Sequence, residues 1–289
     1  MVHTIPMDTV ELGTTGYPKS LAEIPGAPKK LWMRGVWPAA GTKRLAVVGS
    51  RALSSYGREA CHKLISGLAG YPISIISGLA LGTDAEAHRA ALKAGLHTIA
   101  VPGSGLGDSA IYPRTNVGLA KDILKADGLL LSEHPEDYKP AAYDFPSRNR
   151  IMVGLADAIL VIEAGEKSGT LITARLAHEY NRDLLCVPHR IGDPHGFGAN
   201  LFIRLGAGLV AESSHILEAL GIDPRAEGAR ADIKLEGNER IIYELLDEPV
   251  PKDELIRASR LTPSDALSAL VMLELKGVLK EEFGAWRRT

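Results

Sequence analysis

From Lys43 onward the chain alternates short apolar runs with longer amphipathic stretches. The runs are RLAVVG (44–49), ISIIS (73–77), HTIAVPG (97–103), GLLLSE (128–133), AILVIEA (158–164), DLLCVPH (183–189) and GLVAES (208–213). Their apolar residues are contiguous rather than alternating, which fits strands buried on both faces. Between them, residues 58–69, 84–95, 116–126, 168–181 and 214–221 carry apolar positions at helical spacing. Thr83 and Glu86 are spaced as a capping box for the second of these helices. Strands alternating with helices predict βαβ units, hence an α/β fold with a doubly wound, mainly parallel sheet over residues 41–222.

The flanks read differently. Residues 1–40 are dense in proline and glycine and hold no sustained period, which predicts an irregular arm anchored by Trp32 and Trp37. Residues 223–236 mix Pro, Gly and charge and read as a linker. Residues 237–289 predict helices at 238–246, 252–259 and 263–275, then two strands around Gly284. That is the layout of a small C-terminal winged-helix domain.

Composition narrows the function classes. A chain of 289 residues with 45% apolar and 24% charged residues is globular, not disordered or fibrous. Its net charge of −2 exerts no bulk attraction on a polyanion, so a nucleic-acid site must be a local cluster. No apolar run approaches the roughly 18 residues a membrane helix needs. The N-terminus lacks a basic n-region, so no secretory signal is visible. Cys61 and Cys186 cannot form a disulfide framework and read as buried thiols of a cytoplasmic protein.

Ligands of an open α/β sheet bind outside the carboxyl ends of the strands, so the loops there carry the candidate chemistry. Gly49, Ser50 and Arg51 end the first strand, where a bare backbone and a guanidinium fork suit a phosphate. The loop is not GxGxxG, and no acid ends the second strand to hold a ribose, which argues against a dinucleotide. Ser77 and Gly78 close the second strand, with Asp84 and His88 four apart on the next helix. That pair reads either as an acid–base couple or, more simply, as a first-turn acid with a local hydrogen bond. Residues 102–116 read as a long glycine-rich surface loop with Arg114 as a phosphate candidate. Arg148 and Arg150 flank Asn149 at a helix start, where cations oppose the macrodipole; they serve an anion or pair with Asp144 or Asp157. Lys167, Ser168, Gly169 and Thr170 offer amides, hydroxyls and an ammonium at another helix start, without P-loop order. His189 and His195 lack a third ligand at zinc spacing, so no metal and no cofactor is expected.

VVGSRALSSYG, SGLALGTDAEAH, IAVPGSGLGDSAIYP, LLLSEHP, FPSRNRIMVGLADAILVIEAGEKSGTLITARLA and GANLFIRLGA occur in one order over residues 17–222. In that order they resemble the DNA-processing protein A (DprA/Smf) family, and the C-terminal segment resembles the winged-helix domain many members append. The resemblance implies an extended Rossmann-like fold, usually a homodimer, that binds single-stranded DNA and loads the RecA recombinase during natural transformation, with no catalytic activity. Carried onto this chain, it implies DNA contacts at Gly49, Ser50, Arg51, Ser77, Gly78, Phe145, Arg148, Asn149, Arg150, Lys167, Ser168 and Gly169, with a base stacking on Phe145. The chain departs from the family at His189 and His195, where Gly and Ser are usual, at Thr83 of Gly82-Thr83-Asp84, and in a GSGLG stretch without cysteine.

The fold is also similar to lysine-decarboxylase-like nucleotide phosphoribohydrolases, which carry a PGGxGTxxE signature. Here EAGEKSGTLIT keeps Gly169-Thr170 but places Thr173 where the carboxylate would stand, which argues against hydrolysis. Residues 236–289 hold eight basic and eleven acidic residues, a net of −3. The helix PSDALSALVMLELKG has few cations, so the winged helix reads as a protein-contact or regulatory module rather than a duplex reader.

Overall fold

The computed structural model describes residues 6–166, 168–223, 235, 237–246, 248–275, 278–282 and 284–288. Two compact units result, Met1–Ala231 and Asp232–Thr289. Most of the expected linker, including 224–234, lies outside the described residues.

The strands of the first unit are β1 (Asp8–Glu11), β2 (Lys30–Gly35), β3 (Lys43–Val48), β4 (Ile73–Ser77), β5 (His97–Ala100), β6 (Leu129–Ser132), β7 (Ala158–Val161), β8 (Asp183–Cys186) and β9 (Gly208–Leu209). The helices are α1 (Lys19–Ala22), α2 (Ser55–Ser66), α3 (Thr83–Lys93), α4 (Val117–Lys125), α5 (Asp144–Leu155), α6 (Thr170–Glu179), α7 (Phe197–Arg204) and α8 (Ser213–Ala219). Among the described residues the strands form one sheet in the order β1-β2-β6-β5-β4-β3-β7-β8-β9. Strands β3 to β9 pair in parallel, while β2 runs antiparallel to both β6 and β1. From β3 the chain winds outward through β4, β5 and β6, then returns through α5 to β7 on the other side of β3. The winding direction reverses between β3 and β7, and this is where an open sheet leaves a crevice.

Leu45, Val47, Ile75, Leu160 and Cys186 are buried, as both-faces-covered strands require. One face packs on α2, α3 and α8 through Cys61, Leu64, Ala87, Ala90 and Ile216. The other packs on α1, α5, α6 and α7 through Leu21, Ile151, Met152, Ala177 and Ala199. Burial pushes both cysteine thiols up to about 12, so they are inert packing groups.

Several expectations need correction. The described part of residues 1–40, from residue 6 on, is not an irregular arm: β1 and β2 lie in it and extend the main sheet beyond β6. The two strands are short and separated by turns with glycine at positive φ, at Gly13, Gly16 and Gly26, so no period accumulates. Trp32 and Trp37 do pack against the core. The capping box at Thr83 does not form. Gly82 occupies the cap position, Thr83 is the first helical residue, and Glu86 bonds Arg58, Arg89 and His62 instead. The 102–116 segment is not a surface loop, because Ser104, Leu106, Ile111 and Asn116 are buried. Arg114 donates to the Asp108 carbonyl rather than facing the crevice.

Asp84 and His88 follow the simpler reading. His88 is buried and meets Thr98 Oγ1 at 2.7 Å. Burial pushes its pKa from 6.5 to about 3, so the folded protein holds a neutral imidazole where the unfolded chain takes a proton. The unfolded state therefore binds more protons between those values, and stability falls as pH drops from about 6.5 toward 3. Urea titrations between pH 7 and pH 4 should show a shallower decline for His88→Gln than for the parent. Parallel declines would contradict a neutral buried His88.

The second unit has its own core. Helices α9 (Asn238–Glu244), α10 (Lys252–Ser259) and α11 (Pro263–Leu275) pack with β10 (Val250–Pro251), β11 (Leu279–Glu282) and β12 (Ala285–Arg288) around Ile242, Leu255, Leu270, Leu273 and Trp286. The sheet order β10-β12-β11 and the turn at Gly284, with φ +80°, match the expected hairpin.

Candidate nucleic-acid interface

The crevice between β3 and β7 is an open cleft of about 560 Å³. Gly49, Ser50 and Arg51 enter it from β3, Phe145, Arg148 and Asn149 from α5, and Ser168, Gly169 and Thr170 from the start of α6. Asp84, Met152, Ile172, Thr173 and His195 complete most of its lining.

The β3 loop is held from α3. The Ser50 carbonyl accepts from Thr83 N at 3.0 Å and Thr83 Oγ1 at 3.1 Å, and Ser50 Oγ accepts from Ala52 N at 3.1 Å. This close approach depends on Gly82, whose φ is +72° and whose missing Cβ would strike the Ser50 and Arg51 carbonyls. Arg51 is exposed at the mouth, its guanidinium 5.2 Å from the Phe145 ring centroid. The cation thus lies over the ring at the entrance, within cation–π range. Phe145 also meets Tyr112, at 5.6 Å between centroids, and Tyr112 is half exposed.

The floor is built on Arg148. It is 4% exposed, pairs with Asp84 at 3.3 Å, and donates to the Gly78 and Val101 carbonyls. Burial pushes the guanidinium's pKa down, and Asp84 opposes that shift. Two strand-end carbonyls and a carboxylate thus surround one fixed cation, which seals β4 and β5 to α5. Asn149 accepts from Arg148 Nε at 3.0 Å and donates to Thr173 Oγ1 at 3.0 Å, linking α5 to α6. The N-terminus of the ten-residue α6 opens on the cleft with Gly169 at its cap, and its first amide, Thr170 N, donates to Ser168 Oγ at 3.2 Å. Its partial positive charge faces the same space as Arg51.

The sequence-predicted residues divide accordingly. Gly49, Ser50, Arg51, Phe145, Arg148, Asn149, Ser168 and Gly169 come together in the cleft. Lys167 lies outside the described residues. Ser77 is buried and donates to the Val47 carbonyl at 2.7 Å, while Gly78 backs onto the Arg148 guanidinium. Both shape the floor from behind rather than face the cleft. Arg148 and Arg150 are also corrected: α5 begins at Asp144, so neither sits at a helix start. The partners are Asp84 for Arg148 and Glu133, at 2.5 Å, for Arg150, not Asp144 or Asp157.

Sequence reasoning missed Glu163. It is fully buried just beyond β7, accepts from Ser54 N at 3.1 Å and from the Ser54 hydroxyl, and faces His195 and His189. A carboxylate ending the apolar run AILVIEA was the available signal, since a buried charge must be paired. Among the described residues, no group of three His, Cys, Asp or Glu side chains is disposed to hold a metal ion.

The family described as DNA recombination-mediator protein A matches residues 8–221, and the DprA winged helix domain matches residues 226–284. Protein Smf of Escherichia coli is 43% identical over 218 residues, covering 75% of this chain and 56% of that protein's length. DNA processing protein DprA of Streptococcus pneumoniae is 41% identical over 201 residues, 70% of either chain. A crystal structure of the pneumococcal protein superposes with a TM-score of 0.69 at 39% identity, covering 75% of this chain and 74% of that one. DNA processing protein A of Helicobacter pylori, described for its single-stranded DNA binding mode, superposes with a TM-score of 0.64 at 29% identity, covering 75% and 96%. The described residues hold no helix long and apolar enough to cross a membrane. With a doubly wound sheet, a switch-point cleft and a winged helix matched in sequence and order, the chain belongs to the DNA recombination-mediator protein A (DprA/Smf) family.

Proposed function

We propose that the β3/β7 cleft binds single-stranded DNA, and that the chain is a non-enzymatic mediator that protects incoming strands and loads RecA onto them in natural transformation. The observation that carries this reading is the pairing of Arg51 with Phe145 at the mouth of a cleft floored by Arg148 and opened by the start of α6. Phosphates meet the Arg51 fork and the α6 N-terminus, and a base stacks on the Arg51–Phe145 platform, an interaction on the order of 1–3 kcal/mol. Lys167, three positions before Thr170 in the sequence, belongs to the same proposed contact set; Ser77 and Gly78 back the floor, and Arg150 is paired with Glu133 away from the cleft lining. The Helicobacter pylori relative's single-stranded DNA binding supports the ligand class. A homodimer working in the cytoplasm completes the proposal.

The hydrolase reading finds no support in the cleft. Thr173, at the position of that family's carboxylate, is a buried hydroxyl occupied by Asn149. The winged helix is proposed as a protein-contact module, since α11 exposes Leu267, Val271 and Met272 rather than cations.

Fluorescence anisotropy with an oligodeoxythymidine and with a blunt duplex, across a salt series, tests the proposal. The single strand should bind more tightly, with log affinity falling linearly against log salt. Equal binding of duplex and single strand would contradict it.

A further inference from the structure

His195 stands on the cleft wall with its ring 41% exposed, and its Nδ1 lies 3.6 Å from Glu163 Oε2. Glu163 cannot retreat into solvent, because it is fully buried and tied to the Ser54 amide and hydroxyl at the start of α2. The backbone on either side of the ring is fixed as well. His195 N donates to Asp193 Oδ1 at 2.9 Å, and its carbonyl accepts from Ala164 N at 2.9 Å. The imidazole therefore has one nitrogen turned to a buried carboxylate while the half-exposed ring lines the cleft. A buried carboxylate on one side and a phosphate on the other are each acceptors for an imidazole N–H of that ring.

We infer that His195, positioned by Glu163, is a protonation-dependent phosphate contact of the cleft, so that this chain holds single-stranded DNA more tightly as pH falls. The inference rests on the proposed DNA reading of the cleft. Other ionisable groups around it do not supply the same effect. His189 faces Glu163 from the same 187–196 loop at 4.0 Å, but its side chain is fully buried and covered edge-on by Tyr56 of α2. It cannot reach a phosphate. Asp84 and Arg148 are paired to each other on the floor, and Arg51 lies over Phe145 at the mouth. Asp193 is engaged with the His195 amide.

The proton balance is simple. A protonated ring carries one charge more and neutralises one further phosphate. A neutral ring does not, and the contact is lost. Between about pH 8 and pH 6, the range over which histidine gains its charge, affinity for an oligodeoxythymidine should rise about fivefold. The slope of log affinity against log salt should steepen by about 0.7 over the same interval, one phosphate's worth for a single strand.

The test is anisotropy with that oligonucleotide at both pH values and several salt concentrations, on the full chain and on His195→Gln. The variant should bind with one affinity and one slope at both pH values. Proton NMR of the parent gives a second reading that needs no variant: the His195 ring signal should titrate at higher pH once the oligonucleotide is bound. A variant that keeps the parent's pH dependence and slope change, or a His195 titration unmoved by the oligonucleotide, would overturn the inference while leaving the cleft reading standing. Absence of oligonucleotide binding at every pH would overturn the cleft reading, and the inference with it.

Discussion

An Arg148→Ala protein should unfold about 10 °C below its parent, although position 148 lies within the proposed DNA site. The guanidinium is buried, and its loss strands the Asp84 carboxylate and the Gly78 and Val101 carbonyls without their shared donor. Removing one partner of a buried ion pair costs about 3–5 kcal/mol, because the other charge stays behind uncompensated. For a unit of this size each kcal/mol moves the melting temperature by roughly 2–4 °C. Arg148→Lys should recover only part of the loss, since a single ammonium does not span three acceptors as a planar fork does. Differential scanning calorimetry reads this directly. A melting temperature within about 2 °C of the parent would mean that Arg148 does not hold the cleft floor together.

Arg51→Ala should behave in the opposite way. The side chain is exposed and lies over Phe145, with no ion pair among the described residues, so the fold loses little, within about 0.5 kcal/mol. Single-stranded DNA binding should weaken about tenfold at low salt, as both a phosphate contact and half of the stacking platform go. The slope of log affinity against log salt should fall by about 0.7. Anisotropy and a thermal melt on the same preparation separate the outcomes. Intact affinity with a lowered melting temperature would make Arg51 a structural residue and remove the β3 loop from the site. Opposite signatures from two arginines in one cleft distinguish its floor from its mouth.

The sheet was legible because contiguous apolar runs such as ISIIS and AILVIEA mark strands covered on both faces, whatever their partners. β1 and β2 were not, since each is short, antiparallel and at or next to the sheet edge, where the apolar signal is diluted by Lys30 and Arg34. The loops of the candidate cleft were legible for a topological reason: the strand order reverses at β3 and β7, and Gly49–Arg51 and Ser168–Gly169 follow those two strands. The roles within the loops were less so. Arg51 and Arg148 are alike in sequence, and only the packing of α5 onto Asp84 separates a solvent-facing cation from a buried one. Glu163, His189 and His195 stay unrelated along the chain until the fold closes around a single carboxylate.

Photocrosslinking an iododeoxyuridine-substituted single strand to the full chain, with mass-spectrometric identification of the attached residues, tests the placement of the strand most directly. Crosslinks should fall on Phe145 and Tyr112 and on the peptides carrying Gly49–Arg51 and Ser168–Thr170, and should disappear in excess unlabelled single strand. Crosslinks concentrated instead on the winged-helix residues 263–275, with the cleft peptides unmodified, would contradict it.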